Sequence, residues 1–257
     1  IESEPEESYA SANKRTLNQT VPTWLGLSRD FRIFEIREST PKLPTAAGNV
    51  ITPKFSARLL NLEETGERGI SYSYTVGRGV GSEINISRQL EEGVLPIRHS
   101  TLIDDDIEYY STYFVSLEKS SLTEQNGTYY LVADRYSAGS MLTEEQEERL
   151  KPKLKEAFNT TEETVLYFRS EVTNKGKAPH YAWLKTIKPT RGSYTFEPNT
   201  GFSTYSFGKV FCVSKLNGNP IPNEEVSVLL QPGEKAVFEF FLPHTPISKE
   251  RALELST

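Results

Sequence analysis

A single cysteine, Cys212, excludes any internal disulfide. It stands between Phe211 and Val213 in an apolar run, where a free thiol behaves as a small buried hydrophobe. A chain without cross-links suits the cytoplasm and equally a periplasm that makes no use of them, so the compartment stays open, with periplasm or secretion favoured. No apolar run approaches the roughly 20 residues that a helical membrane span requires. The front of the chain carries no basic and apolar leader pattern. Clustered Lys and Arg are also lacking: 29 basic against 35 acidic residues give a net charge of −6, and the basic ones are scattered. Nucleic acid and anionic membrane are therefore excluded as principal partners.

Helical periodicity is scarce, and what fills the chain is short, β-prone, aromatic-rich segments separated by Gly, Pro, Asn, Asp and Ser. Ile70, Tyr72, Tyr74 and Val76 share one face of a period-2 stretch. Phe31–Ile36, Val50–Leu60, Ile84–Leu90, Tyr109–Leu117, Thr128–Ala133, Thr164–Thr173 and Lys209–Lys215 read as further strands. His180–Ile187 is expected to pair with the Thr164–Thr173 strand across the Asn174–Lys177 turn. Asn217-Gly218 marks a hairpin, and Pro232-Gly233 marks a tight turn between Val226–Leu230 and Lys235–Phe240. With no fixed-period repeat, the pattern predicts an all-β fold, a large antiparallel β-sandwich with one or two short connector helices. One connector follows the capping box Thr143-Glu144-Glu145-Gln146, with Leu150, Leu154, Ala157 and Phe158 on one face and a kink at Pro152. The other is capped by Ser248 and runs through Arg251, Leu253 and Leu255.

At 257 residues a sandwich is expected to form one domain. Residues 1–15, with Glu2, Glu4, Glu6 and Glu7, read as an acidic tail, residues 16–247 as the sandwich, and 248–257 as the start of a linker helix to a missing downstream domain. The start at Ile1 reads as a processed or truncated product.

Candidate chemistry is sparse. His99, His180 and His244 lack metal-ligand spacing to one another or to paired carboxylates, so no metal and no cofactor are expected. Asp104-Asp105-Asp106 with Glu108 offers hard oxygen ligands without the spacing of a calcium loop, and reads as a solvated loop entering the next strand. Gly77, Gly79 and Gly81 read as a turn or bulge, since no helix follows to aim amides at a phosphate. No nucleophile elbow or P-loop appears, and no catalytic residue is assigned. Exposed rings with polar neighbours would form a carbohydrate platform, and Trp24, Tyr181, Phe196 and Phe207 qualify by residue type. The stretch from Arg191 to Phe207 is the favoured region, and Trp183, Arg191, Tyr194, Phe202 and Tyr205 are the candidate carbohydrate-binding residues.

Several segments together resemble the amino-terminal β-sandwich of bacterial six-hairpin glycosidases, which is similar in fold to galactose mutarotase, the supersandwich. They are Trp24–Arg32, Gly93–Pro96 with Asp104–Ile107, Val172–Gly176 and Leu230–Glu234. The resemblance spans nearly the whole chain. It implies a non-catalytic β-supersandwich domain of a larger carbohydrate-active enzyme, a glycoside hydrolase. In such enzymes the catalytic carboxylates belong to a following helical barrel, the partner that the sandwich supports and whose substrate cleft its loops help to shape. Two other functions compete: a free-standing carbohydrate-binding module, and a mutarotase-like sugar epimerase using His99 or His180 as acid with a Glu as base.

Overall fold

The computed structural model describes residues 22–27, 32–38, 48–54, 70–79, 85–120 and 162–255, with Ser8, Ser11, Thr143, Glu145, Glu148 and Arg149 as single positions. The strands are β1 (Thr23–Leu25), β2 (Phe34–Arg37), β3 (Asn49–Pro53), β4 (Tyr72–Val76), β5 (Asn85–Glu91), β6 (Leu95–Asp104), β7 (Ile107–Leu117) and β8 (Thr164–Asn174). They continue as β9 (His180–Pro189), β10 (Tyr194–Glu197), β11 (Phe202–Tyr205), β12 (Val210–Leu216), β13 (Asn219–Pro220), β14 (Glu225–Leu230) and β15 (Lys235–Pro243), followed by helix α1 (Lys249–Leu255). Antiparallel pairing gives a six-stranded sheet, β1-β2-β3-β4-β9-β14, and a nine-stranded sheet, β10-β11-β12-β15-β8-β7-β6-β5 with β13 on β12. The all-β sandwich is as the alternation predicts.

Between the sheets lies one aromatic core. Ile70, Tyr72, Tyr74 and Val76 all turn inward, as their period requires. From the nine-stranded sheet, Tyr113 stacks on Phe168 at 4.5 Å between ring centroids, and Phe168 meets Phe240 at 5.1 Å. Tyr74 reaches Phe168 across the sandwich at 5.0 Å. Cys212 is fully buried, and burial pushes its thiol up to about 12, so it packs as the apolar residue its neighbours imply. Helix α1 is capped by the Ser248 hydroxyl, which accepts from Arg251 N–H at 3.4 Å. Ala252 and Leu255 join a second cluster with Val165, Phe202, Val213 and Phe241, while Leu253 stays exposed. Of the predicted 143–158 helix, the described positions Glu145, Glu148 and Arg149 are helical; the rest lies outside the described residues, as does the Thr128–Ala133 strand.

The two best turn signals join different sheets. Pairing of β8 with β9 was expected, but β8 lies between β7 and β15 whereas β9 lies between β4 and β14. The Pro232-Gly233 turn likewise passes from β14 in one sheet to β15 in the other. Turn chemistry reverses the chain without specifying whether the returning strand pairs or stacks. Asn174, fully buried, decides it here. Its amide donates to Ala178 O and Leu230 O, both at 2.8 Å, and its Oδ1 accepts from Gly176 N–H at 2.8 Å. Its backbone bonds to Gly233 and Glu234, so one side chain fastens both arches. A Cβ on Gly176 would lie 2.3 Å from Asp106 Oδ2, so a larger residue in this corner would have to displace the Asp106 side chain. The Asn217-Gly218 hairpin forms between β12 and β13, with φ of 50° and 77° suited to a primed turn.

A buried ion cluster forms a second tie. Glu38, just past β2, meets Arg98 Nη2 at 2.6 Å and Arg88 Nε at 2.9 Å, and accepts from Ser100 Oγ and Tyr113 OH, each at 3.0 Å. Burial alone would raise its pKa, but Arg98 and Arg88 outweigh that and hold the carboxyl at about 2. Glu163 is the opposite case: burial dominates over Arg32, 3.7 Å away, and pushes it up to about 7.

Two outcomes are expected. Asn174→Ala removes three hydrogen bonds, one of them fully buried, and should lower unfolding free energy by about 2–3 kcal/mol in urea titrations; a change under about 0.5 kcal/mol would refute its fastening role. In a pH series, the Glu38 contribution is present above its unfolded pKa and is lost as pH falls from about 4.5 through about 2, on the order of 3 kcal/mol. Glu163 binds its proton more tightly when folded, so its contribution is full below about 4.5 and is lost as pH rises to about 7. Glu163→Gln should abolish that second slope and leave the acid limb in place.

Candidate functional site

Strand β9 builds a platform on the outer face of the six-stranded sheet. Its alternation turns Ala182 and Leu184 into the core and leaves Tyr181 and Trp183 outside, 54% and 43% exposed. The two rings lie 6.2 Å apart at 48°. Opposite them on β14, Leu229 faces Tyr181, Ser227 faces Trp183 and Glu225 faces Lys185. The Trp183 backbone is pinned from both sides: its N–H donates to Tyr109 OH, a core side chain from the other sheet, at 2.8 Å, and its carbonyl accepts from Gly77 N–H at 2.9 Å. The indole is thus exposed on a fixed backbone.

A bulge then changes the rhythm of β9. Thr75 and Ser73, two residues apart on β4, face Lys185 and Lys188, three apart on β9. The extra residue buries Thr186 and Ile187 in succession and returns Lys188 to the outer face. Beside it opens a cavity of about 350 Å³ lined by Lys185, Thr186, Lys188, Tyr194, Asn223, Glu224 and Glu225. Tyr194 OH donates to Glu224 Oε1 at 2.5 Å, and its ring edge meets Phe211 at 5.8 Å. Burial and then the neighbouring Glu224 carboxylate raise the Tyr194 pKa, so the phenol stays protonated. Lys185 pairs with Glu225 at 2.8 Å and lowers that carboxyl.

The five residues singled out from the sequence separate here. Trp183 is on the platform, Arg191 is exposed in the connection that follows β9, and Tyr194 lines the cavity. Phe202 and Tyr205 are buried, 1% and 4% exposed. The reason is the position of β11 inside the nine-stranded sheet: Phe202 turns toward the cluster under α1, and Tyr205 packs on Phe211 at 4.7 Å in the main core. These two rings therefore offer no platform. Trp24 is exposed on β1, the edge strand of the six-stranded sheet, held by Glu35 and Lys54. Sequence reasoning missed Lys185, Lys188, Glu224 and Glu225. The Tyr181-x-Trp183-x-Lys185 alternation carries a signal for the first of these, whereas nothing local marks the bulge.

A second polar cluster sits on the outer face of the nine-stranded sheet. His99 on β6 bonds through Nε2 to Glu91, and its Nδ1 meets Tyr110 OH at 2.9 Å and Thr112 Oγ1 at 3.2 Å. His180 lies 3.3 Å from Asp106 Oδ2, and His244 is buried with Nε2 on Lys54 O at 2.9 Å. The triple aspartate is committed to structure. Asp104 is 4% exposed rather than solvated, and it accepts from Arg78 N–H and Nε, both at 2.9 Å, while Asp105 pairs with the same arginine at 2.7 Å. Gly77 and Gly79 have φ of 71° and 103° in the turn after β4; Gly81 lies outside the described residues. Among the described residues, no three His, Cys, Asp or Glu side chains are grouped to hold a metal ion.

Comparison with known proteins returns no relative: no family model matches the chain, and neither a curated protein nor a solved structure matches it.

Proposed function

We propose that this chain is a non-catalytic carbohydrate-binding β-sandwich, acting as an accessory module of a larger carbohydrate-active protein. The observation that carries this reading is the Tyr181–Trp183 pair, exposed on a pinned backbone two residues along β9 from Lys185, which lines a polar cavity. Large rings left in solvent forgo burial of apolar area worth roughly 2 kcal/mol each, and a ligand with an apolar face recovers it. A pyranose has such a face, ringed by hydroxyls that need donors and acceptors. Ser227, Lys185, Asn223 and Glu224 supply both along the same strand pair. A helical catalytic domain, implied by the resemblance to six-hairpin glycosidases, is the partner such a module would support.

A mutarotase-like reading is favoured by one specific observation, the Glu91–His99–Tyr110 chain. Sugar ring opening needs a base for the anomeric hydroxyl and an acid for the ring oxygen, and a carboxylate-backed imidazole beside a phenol offers both kinds of group.

Two measurements separate the readings. Trp183→Ala should keep the fold, because the indole is largely exposed and its fixed contacts are backbone ones. It should weaken glycan binding in calorimetry about tenfold or more, and an unchanged affinity would reject the platform. Polarimetry with freshly dissolved glucose or galactose should show anomerisation no faster than in buffer. Acceleration that disappears in His99→Gln would favour the epimerase instead.

A further inference from the structure

The charges around the platform do not cancel evenly. Four carboxylates stand near β9: Asp106 meets His180, Glu108 meets Lys175 at 3.1 Å, Glu225 meets Lys185, and Glu224 bonds to the neutral Tyr194 hydroxyl, which does not offset its charge. Three exposed cations, Lys177 before Tyr181, Lys188 beside the cavity and Arg191 just beyond it, make no side-chain salt bridge or hydrogen bond among the described residues, and Lys188 is near enough to Glu225 to help Lys185 lower that carboxyl. The chain as a whole is acidic at −6, so a basic track of one β9 lysine with Lys177 and Arg191 in the connections at the two ends of the strand runs against its general balance. Lys188 is on this track only because the bulge spends one residue inside β9. Strict alternation from Trp183 and Lys185 would have turned it into the core.

Resting on the carbohydrate-binding reading above, we infer that the ligand of this face is an acidic glycan, a chain of uronate-type sugars laid along β9. Its rings stack on Tyr181 and Trp183, and its carboxylates meet Lys188 and Arg191 at one end and Lys177 at the other. From Tyr181 to Lys188 the strand covers about 20 Å, so a single sugar does not touch both the aromatic pair and the far cations, whereas an oligosaccharide does. A carboxylate gains a charge-assisted hydrogen bond from each cation, stronger than a hydroxyl would make. Nucleic acid is the less favoured polyanion, because its affinity comes from many phosphate contacts and the track supplies only three uncommitted cations.

The test uses calorimetry of the full chain with three probes: an oligogalacturonate, a neutral cello-oligosaccharide of equal length, and a single-stranded oligothymidylate. Oligogalacturonate should bind at least tenfold tighter than the neutral probe, and its affinity should fall as salt is raised. The Lys188→Gln/Arg191→Gln double variant should lose that advantage while keeping its weak neutral binding, and Trp183→Ala should weaken both sugars. Equal affinity for acidic and neutral sugars, or an unaltered double variant, overturns the acidic-glycan assignment and leaves the carbohydrate reading standing. No binding to either sugar overturns the carbohydrate reading itself. Tighter binding of oligothymidylate than of oligogalacturonate overturns the assignment in favour of nucleic acid.

Discussion

The buried side chain of Asn174 is the constraint on which the arrangement rests. A sandwich needs its chain to cross between layers, and each crossing takes the backbone out of one ladder before it joins the other, so its polar groups need other partners. Here two crossings, β8 to β9 and β14 to β15, lie side by side, and one carboxamide satisfies groups from both. Because the arches are stacked, β8 pairs with β15 in one sheet while β9 pairs with β14 in the other. The outer face of β9, with its exposed aromatic pair, exists only because that crossing places β9 between β4 and β14 in the six-stranded sheet, with one face in the core and the other in solvent.

At the other end of the sandwich the tie is ionic. Glu38 approaches from the six-stranded sheet and is taken up by Arg88, Arg98, Ser100 and Tyr113 of the nine-stranded sheet. Buried charges are costly unless their lone pairs and protons are used, and both Glu38 oxygens are. Arg98 also lies over the Tyr113 ring, 5.1 Å from its centroid, so the guanidinium is embedded in the same aromatic column that joins the sheets. Asn174 and Glu38 thus hold the layers by direction-specific bonds, and the Tyr and Phe stack between them supplies the non-directional burial. Tyr109 adds a third link, from the nine-stranded sheet to the backbone beneath Trp183, which couples the rigidity of the core to the surface platform.

Individual strands were legible because a half-buried strand writes its two faces into the sequence. Tyr72-Ser73-Tyr74-Thr75-Val76 alternates in solvent contact as it alternates in polarity, and β7 keeps the same burial period with Ser111 inside and Tyr110 outside. Cys212, the Asn217-Gly218 hairpin and the Ser248 cap were legible for the same reason: each depends on neighbours a few residues away. Strand partners were not. The Asn174–Lys177 and Pro232-Gly233 turns look local, but whether they close a hairpin or an arch depends on Leu230 and Ala178 meeting one amide in space. The candidate site was half legible: Trp183 and Tyr194 belong to it, whereas Phe202 and Tyr205 were drawn into packing by α1 and by Phe211, contacts remote in sequence or orthogonal to the strand.

The amino-acid order by itself determined that this chain is built of antiparallel strands around an aromatic interior, because period-2 burial is a property of each segment alone. It also determined the capped terminal helix and the lone buried thiol. Only the tertiary structure decided which strands pair, that Glu91 meets His99, that Asp104 leaves solvent for Arg78, and that a single bulge turns Lys188 outward beside Tyr194 and Glu224. Those outcomes depend on register between strands. A shift of one residue exchanges the two faces of a strand, and no local pattern records which register the neighbouring strand will impose.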